Sequence, residues 1–150
     1  MNKLLITTGL SIATAAMMVH QPTQAQTSAP STRNCVYLRE ISTRQRTIRK
    51  VITLNNTNAN TDFAVPPGTR FNSYIARVIP ENNSRYQIDV SLKYNNGSSS
   101  KMVSRSIEAR RFFLYSQPFQ IPTNRQAFQV NTRIAGGRNT AYQVSVLGCQ

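Results

Sequence analysis

The chain predicts an all-β fold, an antiparallel β-sandwich of about seven or eight strands, with a small closed β-barrel as the alternative. Three features carry the prediction. The stretch "RYQIDVSLKY" alternates apolar and polar residues through five repeats. Asn- and Gly-bearing turn signals recur between short apolar runs, and no segment shows an apolar stripe at helical period. Tryptophan is absent, which sets the pattern apart from antibody-type domains.

Taken in order, residues 1–25 read as a cleaved export leader. A single charge, Lys3, precedes an uncharged run from Leu4 to Val19, and Thr23 and Ala25 supply the small residues a signal peptidase accepts, so cleavage is expected after Ala25. The run is about 16 residues, short of the roughly 20 that span a bilayer. No basic stop-transfer cluster follows it, so no transmembrane segment is expected after cleavage. The address implied is periplasmic or secreted, in a bacterial envelope. Residues 26–34, "QTSAPSTRN", are small, polar and Pro-interrupted, and read as a flexible mature N-terminus. Residues 35–150 form a single β domain.

Within that domain, strands are expected at Val36–Ser42, Thr47–Leu54 and Arg70–Ile79, with Asn55–Asp62 as a polar loop and Pro66-Pro67-Gly68 as a turn. Tyr86, Ile88, Val90, Leu92 and Tyr94 share the buried face of the next strand, and Asn96-Gly97 supplies a hairpin turn to a return strand at "KMVSRSIEA". Arg110–Tyr115 reads as a further strand, with Phe112, Phe113 and Leu114 in the core. Pro118 and Pro122 make "QPFQIPTN" an extended connection or sheet edge. A last hairpin places Phe128, Val130, Thr132 and Ile134 on one face, turns through Gly136-Gly137, and returns with Tyr142, Val144 and Val146 inward.

The only cysteines, Cys35 and Cys149, sit at the two ends of this domain. In an oxidising compartment they are expected to form one disulfide, tying the first strand to the last. Closing a loop of about 115 residues stabilises the fold by roughly 4–5 kcal/mol on the chain-entropy account.

The chemistry is narrowed by what is missing. His20, the only histidine, leaves with the leader, which removes Ser-His and Cys-His nucleophile pairs and the commonest general base. Two cysteines do not complete a zinc shell, so no metal site is expected. No phosphate loop precedes a helix, so no cofactor is expected. Glu40, Asp62, Glu81, Asp89 and Glu108 are the only acids. They are expected to serve as surface partners for arginine rather than as a glycosidase pair. No catalytic residue is assigned.

What is abundant is positive charge. Cleavage leaves 17 basic side chains against 5 acidic ones, and 14 of the 17 are arginine. Arginine suits planar, bidentate contact with carboxylate, sulfate or phosphate. The run "REISTRQRTIRK" contributes Arg44, Arg46, Arg49 and Lys50, with Arg44 and Arg46 placed at the turn before a strand. "EARRFFLY" contributes Arg110 and Arg111 beside aromatic residues. These six are the candidate anion-binding residues. The partner expected is an anionic polymer or envelope component, whether acidic polysaccharide, lipid phosphate or acidic protein; nucleic acid is not the favoured polyanion outside the cytoplasm. The function expected is a non-enzymatic binding module. The alternatives are a structural or assembly subunit of a surface or pilus-like structure, joining neighbours by strand addition, and a periplasmic inhibitor or chaperone-like protein. Oligomeric state is left open.

Overall fold

The computed structural model describes residues 34–53, 60–122 and 125–150. The expected leader and all of the expected N-terminal arm except Asn34 lie outside the described residues, as do Leu54 and most of the Asn55–Asp62 loop. The described chain forms ten strands: β1 (Cys35–Tyr37), β2 (Arg39–Glu40), β3 (Thr47–Ile52), β4 (Asn60–Ala64), β5 (Ser73–Pro80), β6 (Ser84–Lys93), β7 (Ser99–Ala109), β8 (Tyr115–Gln120), β9 (Gln129–Gly136) and β10 (Thr140–Cys149). They build two antiparallel five-stranded sheets rather than a closed barrel. The first runs β1-β10-β5-β8, with β3 also paired to β10, and the second runs β2-β4-β9-β6-β7.

Alternation decides which side chains meet between the sheets. From β6, Tyr86, Ile88, Val90 and Leu92 point inward, and β10 answers with Tyr142, Val144 and Val146; each is at most 1% exposed. Leu38, Phe63, Phe71, Tyr74, Val78, Val130 and Ile134 complete the largest buried side chains among the described residues. Backbones come close where the aromatics lie flat. A Cβ on Gly148 would stand 2.7 Å from the Phe71 ring, and one on Gly136 would stand 2.9 Å from Tyr86. The Cys35–Cys149 disulfide pins the first strand to the last across a separation of 114 residues.

Several elements differ from the sequence expectation. Val36–Ser42 is not one strand. Cys35–Tyr37 pairs with β10 in the first sheet and Arg39–Glu40 with β4 in the second, with buried Leu38 between them. The polar loop expected through Asp62 ends earlier, because Asn60–Ala64 pairs with β9 and buries Thr61 and Phe63. Arg110–Tyr115 is not a strand: Phe112 takes a left-handed φ of 61°, which breaks extension. Phe112, Phe113 and Leu114 are exposed rather than core. Phe128 is also exposed, since β9 begins one residue later and its core face is Val130, Thr132 and Ile134. The final turn leaves Gly136 in the strand and gives the left-handed conformation to Asn139, at φ 60°.

Other expectations hold. Gly97 turns the β6–β7 hairpin at φ 79°, with the Asn96 side chain accepting from Ser98. The weak alternation of "KMVSRSIEA" has a cause. Val90 pairs with Val103 while Ser91 pairs with Lys101, so Met102 is an extra residue that flips the facing of β7. β8 carries Pro118 at a sheet edge, where a missing donor is tolerated.

Two stability outcomes follow. Replacing both cysteines by serine lowers the unfolding free energy by roughly 4–5 kcal/mol in urea titration; an unchanged midpoint with unchanged slope contradicts the pinning role. The Tyr74 and Tyr94 hydroxyls are buried with no hydrogen-bond partner among the described residues, and desolvation pushes Tyr74 up to about 12. Tyr74→Phe therefore raises stability by about 1 kcal/mol, by removing a buried group without a partner; a loss of that size shows that the hydroxyl is satisfied in solution.

Candidate functional site

The site begins at Leu38. Its side chain is 1% exposed, and its N–H donates to the Val146 carbonyl at 2.8 Å. With Leu38 turned into the core, its neighbours Tyr37 and Arg39 are directed outward. After β2 the chain turns through residues 41–46. Glu40 holds this turn, its Oε2 accepting from the Thr43 and Ser42 N–H groups and the Thr43 hydroxyl. Burial alone would raise the Glu40 pKa; these hydrogen bonds outweigh it and hold the carboxylate below its ordinary range. Arg44 occupies the left-handed region at φ 63°, at a cost of roughly 1–2 kcal/mol for a residue with a Cβ. Its carbonyl accepts from Arg39 Nη1 at 3.0 Å.

Opposite this turn stand Ala64, Val65, Pro66 and Pro67. Between the two segments lies a cleft of about 270 Å3, lined by those four residues with Tyr37, Leu38, Arg39 and Arg44. No acidic side chain lines it. Tyr37 is 41% exposed. Its hydroxyl accepts from Arg77 Nη1 at 3.1 Å, and the Arg77 guanidinium sits 6.0 Å from the ring centroid. The cleft thus joins an oriented aromatic ring, two arginines and a rigid proline wall.

The six sequence-predicted residues fall in four places. Arg44 lines the cleft, and Arg46 is exposed in the same turn. Arg49 lies on the outer face of the first sheet in a bidentate pair with Glu81, at 2.7 Å from Nη2 and 2.9 Å from Nε. Lys50 faces inward at the sheet edge, where its Nζ donates to the Asn60 carbonyl of the other sheet; burial lowers its pKa. Arg110 and Arg111 occupy the β7–β8 turn. β7 and β8 are the sheet edges opposite β2 and β1, so these two arginines and the Arg44–Arg46 turn do not form one patch. Tyr37 and Arg39 were missed as site residues. Arg39 stood inside the basic run, and the visible signal was the pattern Tyr37-Leu38-Arg39, one apolar residue between two amphipathic ones.

The acids are all engaged. Asp62 contacts Lys93 and Asn131, Asp89 contacts Lys101, Arg133, Ser104 and Gln87, and Glu108 contacts Arg85. Hydrogen bonding from Arg49 holds Glu81 below its ordinary value, with Gln143 and the charge of Arg111 acting the same way. Burial would raise Asp89, but Ser104, Gln87, Lys101 and Arg133 together bring it down. Among the described residues no cluster of His, Cys, Asp and Glu is placed to hold a metal, and no helix is long and apolar enough to cross a membrane.

The class defined by this geometry is an antiparallel β-sandwich with a basic, aromatic cleft where the chain first passes from one sheet to the other. No family model matches the sequence, and no curated protein matches it. Similar solved structures include carbohydrate-binding modules. The family 32 module of AlyQ in complex with 4,5-unsaturated mannuronic acid is 16% identical, covering 68% of this chain and 75% of that one at a TM-score of 0.45. A mutant of the family 29 module CBM29-2 is 7% identical, covering 76% and 90% at 0.47. The C-terminal family 22 module of Clostridium thermocellum Xyn10B is 10% identical, covering 80% and 88% at 0.42.

Glu40, Glu81 and Asp89 are held below the ordinary carboxylate range, which ties stability to pH. A carboxylate whose folded pKa lies below its unfolded value contributes fully above the unfolded value, and that contribution is lost as pH falls through the folded one. Stability is therefore expected to fall below about pH 4.5, the ordinary carboxylate range, and Glu81→Gln and Asp89→Asn flatten that limb in pH-dependent melting. An acid limb identical to wild type in both variants contradicts the assignment.

Proposed function

We propose that this protein is an exported, non-catalytic β-sandwich that binds an acidic polysaccharide through the Tyr37–Arg39–Arg44 cleft. One observation carries the reading: a cleft with two arginines and an exposed tyrosine has no carboxylate in its lining, while Glu40 is taken up by the backbone of its own turn and the other four acids are paired away from the cleft. Arg39 and Arg44 supply the fork-shaped donors that match a uronate carboxylate or a sulfate. Tyr37, held by Arg77 through its hydroxyl, offers its ring to the apolar face of a sugar. The volume lies just under the roughly 300–1,000 Å3 of small-ligand pockets, which suits a short stretch of polymer. Engagement of the carboxylates and loss of His20 with the leader support the non-catalytic assignment, and the disulfide supports an oxidising address.

The test uses polygalacturonate against its methyl-esterified form, which keeps the backbone and removes the charge. Wild type is retarded by the acidic polymer in affinity electrophoresis and released at 0.5 M salt. Arg44→Gly is the discriminating variant, because glycine relieves the left-handed turn while deleting the cation. It melts no lower than wild type yet binds roughly tenfold or more weakly, the worth of a charge-assisted hydrogen bond. Equal retention by both polymers, or unchanged binding by Arg44→Gly, overturns the reading.

A further inference from the structure

The β7–β8 turn carries a feature that the polysaccharide cleft leaves unused. Phe112, Phe113 and Leu114 are consecutive and exposed at 61%, 56% and 44%. The turn that presents them is braced from four sides. Arg110 N–H donates to the Tyr115 hydroxyl at 2.8 Å, Arg111 N–H to Asn83 Oδ1 at 2.7 Å, Phe112 N–H to the Pro80 carbonyl at 2.6 Å, and Phe113 N–H to the Arg110 carbonyl at 3.1 Å. Phe113 also packs edge-on against Tyr115, centroid to centroid 5.1 Å. With the N–H groups of residues 110–113 bonded and φ reversed at Phe112, the turn holds three large apolar side chains out in solvent, against the hydrophobic effect.

Charge decides what covers them. The Arg111 guanidinium lies 4.5 Å from the Phe112 ring centroid, and Arg110 is exposed beside it. The acids nearest in the structure are already bound, Glu81 to Arg49 and Glu108 to Arg85. The tip is therefore apolar at its point and cationic at its collar. We propose that residues 110–114 form a membrane-docking tip, with Phe112, Phe113 and Leu114 entering the interface of an anionic bilayer and Arg110 and Arg111 meeting lipid phosphates. Amphipathic insertion needs only a small apolar area backed by cations. A stable protein interface buries roughly 1,200–2,000 Å2, far more than three side chains offer, so the lipid surface is the occupant the tip fits.

The absence of tryptophan from the chain makes the test clean. Phe112→Trp and, separately, Leu114→Trp each install a single reporter at the tip. Vesicles of phosphatidylcholine with 30% phosphatidylglycerol are expected to shift its emission to the blue, brominated lipid to quench it, and pure phosphatidylcholine vesicles to do much less. In co-sedimentation of the tryptophan-free chain, Arg110→Ser/Arg111→Ser weakens binding about thirtyfold, from about 1 kcal/mol per cation near the surface. Phe113→Ser/Leu114→Ser removes binding while the melting curve shows a folded domain. No emission change in either reporter with anionic vesicles, or equal sedimentation of both double variants with wild type, overturns the proposal. A concentration-dependent shift without lipid also overturns it, and assigns the tip to self-association.

Discussion

Leu38 hands the chain from one sheet to the other, and the geometry of the cleft depends on that single crossing. The residue is fixed from both sides. Before it, β1 is pinned to β10 by the Cys35–Cys149 disulfide and three register pairs. After it, Arg39 and Glu40 pair with Ala64 and Phe63 of β4. Between these anchors the chain has room for one inward side chain, and a leucine fills it. Tyr37 and Arg39 are then displayed because nothing else is available to them. A polar residue at position 38 would leave the two ladders without their shared apolar contact, and the cleft would lose its floor.

The basic residues divide by the same logic of edges and faces. A sandwich is open along its two sides, where inward positions of edge strands look into a narrowing gap instead of a core. Lys50 and Arg105 occupy such positions. Lys50 reaches the Asn60 carbonyl of the opposite sheet, and Arg105 reaches Gln117 Oε1 at 3.4 Å, again from one sheet to the other. Long aliphatic stems cover apolar surface there while the charged heads find oxygen. These cations are part of the closure. Arg49, Arg85, Lys93, Lys101 and Arg133 neutralise the few carboxylates on the outer faces, contacts that stabilise little individually where they are exposed. Net positive charge is what remains, and part of it gathers at two turns, Arg44 and Arg46 beside Arg39 of β2 on one side and Arg110 and Arg111 on the other.

Period-two alternation made β6 and β10 legible, because both put an unbroken apolar face inward. The hairpin glycine at 97 and the pairing of the two cysteines were legible for equally local reasons. What escaped the sequence depended on distant partners. Asn60–Asp62 looks like loop because it is polar throughout; its strand character comes from β9, about seventy residues on. Phe112, Phe113 and Leu114 read as core by composition, yet Asn83 and Pro80 capture the backbone and turn the side chains outward. The cleft is assembled from residues 37–44 and 64–67, and no periodicity in either segment points to the other. The disulfide could be inferred from a count of two; the crossing at Leu38 could not, since nothing in "CVYLRE" marks a change of sheet.

Among the described residues, three that are not glycine hold a positive φ: Arg44, Phe112 and Asn139. Asn139 needs no special account, for asparagine tolerates the left-handed region and turns commonly use it. Arg44 and Phe112 have no such excuse. Each carries a bulky side chain in a conformation that glycine would adopt at less cost, and each is held there by backbone bonds from within its own turn or from a neighbouring strand. Strain of this kind persists where surrounding structure over-determines it, and it gathers at working surfaces. A turn selected for stability alone would place glycine at either position. Retaining an arginine at one and a phenylalanine at the other makes sense if the side chain itself is what the turn exists to display. The two strained turns lie on opposite sides of the sandwich, one at a cationic cleft and one at an apolar tip, so the same backbone device displays two different chemistries.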